Sequence, residues 1–159
     1  MIGGPPLISL VMSQARGPPR PWAMRRALSI LLAVTMGLNG LAMLGAGRWW
    51  YGAVPGVTAT GPFNPHFVKD IGAAYLVVGA AFTWLALRAT PAARGAAVAA
   101  AVFLALHAAI HLAAAVGPPM GLSDLARDFP GVILPALLAL WIVAAPYQPR
   151  EPSHAETPA

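Results

Sequence analysis

Four ionisable side chains lie in or at the edge of long apolar stretches, and they come in pairs four residues apart: His66 with Asp70, and His107 with His111. Residues four apart share a helix face, so each pair presents two polar heads together. Ionisable groups inside membrane spans are costly and turn toward a bundle interior or a watery cavity, so they mark where function is sought. Three imidazoles and a carboxylate can hold zinc, copper or iron, which accept nitrogen and oxygen donors. His66, Asp70, His107 and His111 are therefore the candidate metal ligands, with a transition metal or haem as the implied cofactor. His107 and His111 alone cannot clamp one haem, because both project from one side of one helix; a partner such as His66 is required. The His-x3-His spacing lacks the glutamate that gives the zinc-protease motif its mechanism. Two other uses stay open: interhelical hydrogen bonds that fix packing, about 0.6 kcal/mol each in one membrane system, and a path for protons or a small solute.

The apolar stretches decide the depth of these groups. Covering ~30 Å of hydrocarbon takes about 20 apolar residues in a helix. Four segments come close: about 27–46, 67–87, 95–116 and 129–147. Asn64-Pro65 is a start signal for the second, with asparagine as cap and proline at the first helical position. Alternating direction puts Asp70 and His111 at similar shallow depth and His107 about one turn deeper. Asn39 and Tyr75 fall near the depth of His107. A polar layer of Asn39, Tyr75 and His107 is thus expected beneath one of His66, Asp70 and His111. Asn39, Asp70, Tyr75 and His107 are the candidates for binding a ligand or carrying a proton. Asp124, Arg127 and Asp128 are expected on a short solvated helix capped by Ser123, with pairing of Asp128 to the histidines as a further option. His66 and Asp70 could also sit in headgroup water, and Lys69 beside them is expected to snorkel to the surface. In the fourth segment Pro135 should kink the helix and free the carbonyl of Gly131.

Composition points the same way. With 58% hydrophobic and 9% charged residues among 159, the chain has too little polar surface to cover a water-exposed globule. The net charge of +5 is spread over connectors and ends, without the basic helix or aromatic-basic alternation of a nucleic-acid binder. No cysteine is present, which removes disulfides, thiolate metal sites and cysteine nucleophiles. Phosphate-binding loop, Gly-x-Ser-x-Gly turn and dinucleotide fingerprint are all missing. No catalytic residue is assigned.

Basic residues orient the spans. Arg16, Arg20, Arg25, Arg26, Arg88, Arg94 and Arg150 fall on one side, Arg48, Lys69 and Arg127 on the other. Both termini are therefore expected in the cytoplasm, with segments 47–66 and 117–128 outside. Trp49, Trp50 and Tyr51 then mark the outer interface, and Trp22, Trp84, Trp141 and Tyr147 the inner one. Residues 1–23 read as a disordered leader or an over-long start, Met24 offering a second initiator, and residues 148–159 as a disordered tail. Met24-Arg25-Arg26 before an apolar run also has the plan of a signal peptide; the length of the run favours a retained span.

Ala97, Ala101, Ala105, Ala109 and Ala113 form a small-residue stripe nearly opposite the histidine face, the pattern that allows close helix approach. It is the candidate contact for a homodimer or larger membrane complex, unless it serves a neighbour inside the bundle. Gly37, Gly40, Gly72 and Gly79 also permit close contacts.

The stretch Phe63-Asn64-Pro65-His66-Phe67-Val68-Lys69-Asp70-Ile71-Gly72-Ala73-Ala74-Tyr75-Leu76, following Trp49-Trp50-Tyr51, resembles a signature of small bacterial membrane proteins, and the four-span plan is similar to the broader DoxX-like group. The resemblance implies a four-helix bundle in a bacterial inner membrane. It carries no activity to particular residues. The fold expected is all-α, a four-helix transmembrane bundle. The function expected is a non-enzymatic accessory or small-ligand-binding subunit, against a metal- or haem-binding redox protein or a proton-coupled solute transporter.

Overall fold

Helix starts are written into two of the connectors. The Asn64 side chain accepts hydrogen bonds from the backbone N–H groups of His66 and Phe67 at 3.0 and 3.1 Å, with Pro65 at the first helical position. Thr90 caps Ala93 at 3.2 Å ahead of Pro91. Such caps satisfy donors that have no partner within the helix, each stabilising by about 1 kcal/mol. The computed structural model describes residues 21–116 and 121–144. They form α1 (Pro21–Gly45), α2 (Gly47–Ala53), a 3-10 turn (Val57–Thr60), α3 (Pro65–Leu87), α4 (Pro91–Ala115), α5 (Leu122–Asp128), a π-helical turn (Phe129–Ile133) and α6 (Leu134–Ala144), with no strand among the described residues. The protein is all-α, a four-helix bundle.

Four helical stretches, Trp22–Gly45, Pro65–Leu87, Pro91–Ala115 and Ser123–Ala144, are long and apolar enough to cross a membrane. The first begins before Ala27, so residues 21–23, read from sequence as leader, belong to the first turn of α1. The rest of that leader and the 148–159 tail lie outside the described residues. The fourth begins before Phe129, because α5 runs through the π turn into α6. Large apolar side chains cover the outside: Val98, Val102, Leu106 and Ile110 form an exposed stripe on α4, and Leu31, Val34, Leu38 and Leu41 another on α1. An apolar exterior of this extent suits lipid and not water.

The helices form a ring in which α1 packs on α3, α3 on α4, α4 on α6 and α6 on α1, while the diagonal pairs make no close backbone approach among the described residues. The α1–α3 seam is the most extensive. Glycines bring the two backbones together: a Cβ on Gly40 would lie 2.6 Å from the Gly72 carbonyl oxygen, and one on Gly79 would lie 3.0 Å from the Gly37 nitrogen. The core runs through Leu32, Met36, Met43, Tyr75, Val78, Phe82, Leu104 and Ile142. Ala97 and Ala101 are buried within the single chain, whereas Ala109 and Ala113 are exposed. The first half of the alanine stripe is thereby occupied inside the bundle.

At one end the ring is tied shut. The Arg25 guanidinium lies 5.4 Å over the Trp141 ring, joining α1 to α6, and Arg94 Nη2 donates to the Val143 carbonyl at 2.8 Å, joining α4 to α6. Toward the other end, which carries α2 and the connection to α3, α1 and α6 diverge. Pro135 has no N–H to give residue 131, and the backbone widens there into a π turn, with Leu134 N–H reaching the Phe129 carbonyl. The gap left between α1 and the π turn is where the polar residues gather.

Candidate functional site

A cavity of about 1100 Å³ occupies this loop end. Its walls come from α1 (Leu31, Leu32, Thr35, Met36, Asn39, Met43), from the start of α3, and from the π turn and α6 (Pro130, Val132, Leu134, Leu138). The 50–62 segment also lines it, through residues such as Trp50, Val54 and Val57. Most of this surface is apolar. The volume is slightly above the range of ordinary small-molecule pockets, ~300–1000 Å³.

One wall is polar. Tyr75 from α3, His107 and His111 from α4, and Arg127 and Asp128 from α5 all line the cavity. Tyr75 and His107 meet edge to face with ring centroids 6.0 Å apart, and His107 and His111 do so at 4.9 Å. The four-residue spacing on α4 makes the second contact inevitable. Phe103, one turn further along α4, stacks on His107 at 6.2 Å and closes on Tyr75 at 5.8 Å. Tyr75 is nearly fully buried, yet no described residue hydrogen-bonds its hydroxyl, nor either nitrogen of His107. Both polar groups are left to whatever fills the cavity.

His111 is held differently. Its Nδ1 lies 2.7 Å from Asp128 Oδ2, while Arg127 Nε donates to the other carboxylate oxygen at 2.9 Å. Arg127 also donates to Asp124 at 2.6 Å, and Asp124 accepts from the Gly121 backbone N–H at 2.9 Å. Asp128 is about 10% exposed and Arg127 28%, so their setting is not the solvated helix face expected from sequence. The start of α5 is also different, since Gly121 and not Ser123 is the cap. Continuation of α5 into the π turn swings its last residues toward the bundle. Over the guanidinium lies Gly56, with φ +86° and no room for a Cβ beside Arg127. The left-handed φ favours glycine, and any larger residue would have to displace the guanidinium.

Of the expected upper layer, His111 alone faces the cavity. His66 and Asp70 lie 3.5 Å apart at the start of α3 with side chains 88% and 60% exposed, and neither lines the cavity. Among the described residues no group of three or more His, Cys, Asp or Glu side chains is placed to hold a metal ion, so the set His66, Asp70, His107 and His111 is divided in two. Asn39, Tyr75 and His107 do line one cavity, although Asn39 is already engaged, accepting from Trp50 Nε1 at 2.8 Å. Asp70 stands apart from these three. The sequence signal for Asp128 and Arg127 was their place at the apolar boundary of the fourth span, at the same end as His111. For Trp50 there was none beyond its type.

Against protein families, curated proteins and solved structures alike, the chain has no match.

Proposed function

We propose that this protein is a multi-pass membrane protein that binds a lipophilic small molecule between α1 and α6, with its polar head against Tyr75, His107 and His111. One observation carries the reading: a cavity of about 1100 Å³ with mostly apolar walls has a polar patch where the Tyr75 hydroxyl and the His107 ring nitrogens open onto the cavity with no hydrogen-bond partner among the described residues. Polar groups that face an otherwise apolar cavity gain from a hydrogen-bonding partner, so a ligand head is the natural complement. The gap between two helices with apolar exteriors gives such a molecule a route from the bilayer. The arginine distribution and the resemblance to small bacterial proteins support a bacterial inner membrane, both termini in the cytoplasm and the cavity in the outer half. Binding without catalysis is the role proposed, as an accessory or carrier subunit.

Trp50 lines the cavity and reports its occupancy. A brominated long-chain alcohol, titrated into protein in detergent, should quench its fluorescence saturably. Trp50→Phe should remove the saturable part, and Leu134→Trp, which adds bulk to the cavity wall, should weaken competition by the unbrominated alcohol. Quenching that rises without saturation and is the same in Trp50→Phe would refute the reading.

A further inference from the structure

We propose that the ligand is a neutral lipophilic alcohol or phenol that donates its O–H to Nε2 of His111, and that Asp128 is the positioning residue that keeps this nitrogen an acceptor. The inference rests on the cavity reading above and narrows it to a ligand class.

Asp128 receives Arg127 Nε on one oxygen and His111 Nδ1 on the other. An ionised carboxylate only accepts hydrogen bonds, and the guanidinium beside it favours ionisation. Nδ1 of His111 is therefore the protonated nitrogen, and the separation of 2.7 Å suits a charge-assisted bond. In the neutral ring the proton on Nδ1 leaves Nε2 with a lone pair. No described residue bonds Nε2, and the ring lines the cavity. A carboxylate that fixes the tautomer of a histidine, which then offers its second nitrogen as acceptor, is the division of labour that prepares a histidine to receive a proton. Here the partner lies in an apolar pocket, where a charged head would pay heavily for desolvation. A neutral O–H on an apolar body meets both requirements. Tyr75, with its unpartnered hydroxyl, adds a donor on the same wall.

The test compares a para-alkylphenol with its methyl ether, nearly the same size but without the O–H, by titration calorimetry at about pH 8, above the ordinary imidazole range. In the wild type the phenol should bind about tenfold or more tightly than the ether, because a site built to accept a hydrogen bond discriminates against a ligand that lacks the donor. Asp128→Asn frees the ring to take the other tautomer and should reduce the preference to less than about threefold. His111→Leu should do the same. Equal binding of phenol and ether to the wild type overturns this inference and leaves the cavity reading standing, as does full preference in Asp128→Asn. If neither probe binds the wild type, the cavity reading falls and the inference with it.

Discussion

Gly37 and Gly40 lie one turn apart on α1, both touch α3 through their backbone, and they should respond to alanine in opposite directions. A Cβ at Gly40 would sit 2.6 Å from the Gly72 oxygen and 3.0 Å from the Leu76 nitrogen. Both atoms are backbone, so relief requires the two helices to move apart along their longest seam. Overpacking of this kind costs about 1–3 kcal/mol, while replacing glycine by alanine within a helix returns about 0.5–1 kcal/mol. Gly40→Ala should thus lose about 1–2 kcal/mol net. At Gly37 a Cβ meets nothing within 4 Å, because that residue contributes only its backbone to the contact with Gly79. Gly37→Ala should keep the intrinsic gain, up to about 1 kcal/mol. Reversible unfolding in mixed micelles, followed by tryptophan fluorescence, measures both. A Gly40→Ala protein as stable as Gly37→Ala would show that the α1–α3 approach is looser than described, and the packing account would be wrong.

Two further outcomes follow from the site. Asn39→Leu removes the acceptor of the Trp50 indole N–H, at 2.8 Å, and should cost about 1–3 kcal/mol while changing the Trp50 emission; an unaltered spectrum and stability would exclude that bond. His66→Gln and Asp70→Asn, at side chains 88% and 60% exposed, should each change stability by less than about 1 kcal/mol and leave quenching by the brominated alcohol as in the wild type. Loss of quenching in either variant would return those residues to the site.

Much of the fold is legible in the sequence. Apolar length and scarce charge yielded four long helices, the Asn64-Pro65 pair marked the start of α3, and Pro135 marked a break in the fourth span. Spacing alone brought His107 next to His111, since four residues on a helix are one turn. What sequence could not reach was which way each face turned. His66 and Asp70 repeat the spacing of the α4 pair, but at the first turns of α3 their face points out of the bundle. Tyr75 is one turn further in, on the buried side. The alanine stripe likewise announced close packing without saying that Ala97 and Ala101 would be covered inside the chain.

Helix content and the number of long apolar helices were thus set by local chemistry: apolar runs give the length, and caps and prolines set the ends. The site required more. The His111–Asp128 contact joins residues on two helices across a connector, and the cavity exists because α1 and α6, tied together at Arg25 and Trp141, separate above a π turn. Those are consequences of how rigid helices are rotated and tilted against one another, which depends on the simultaneous packing of all four faces and is carried by no single segment.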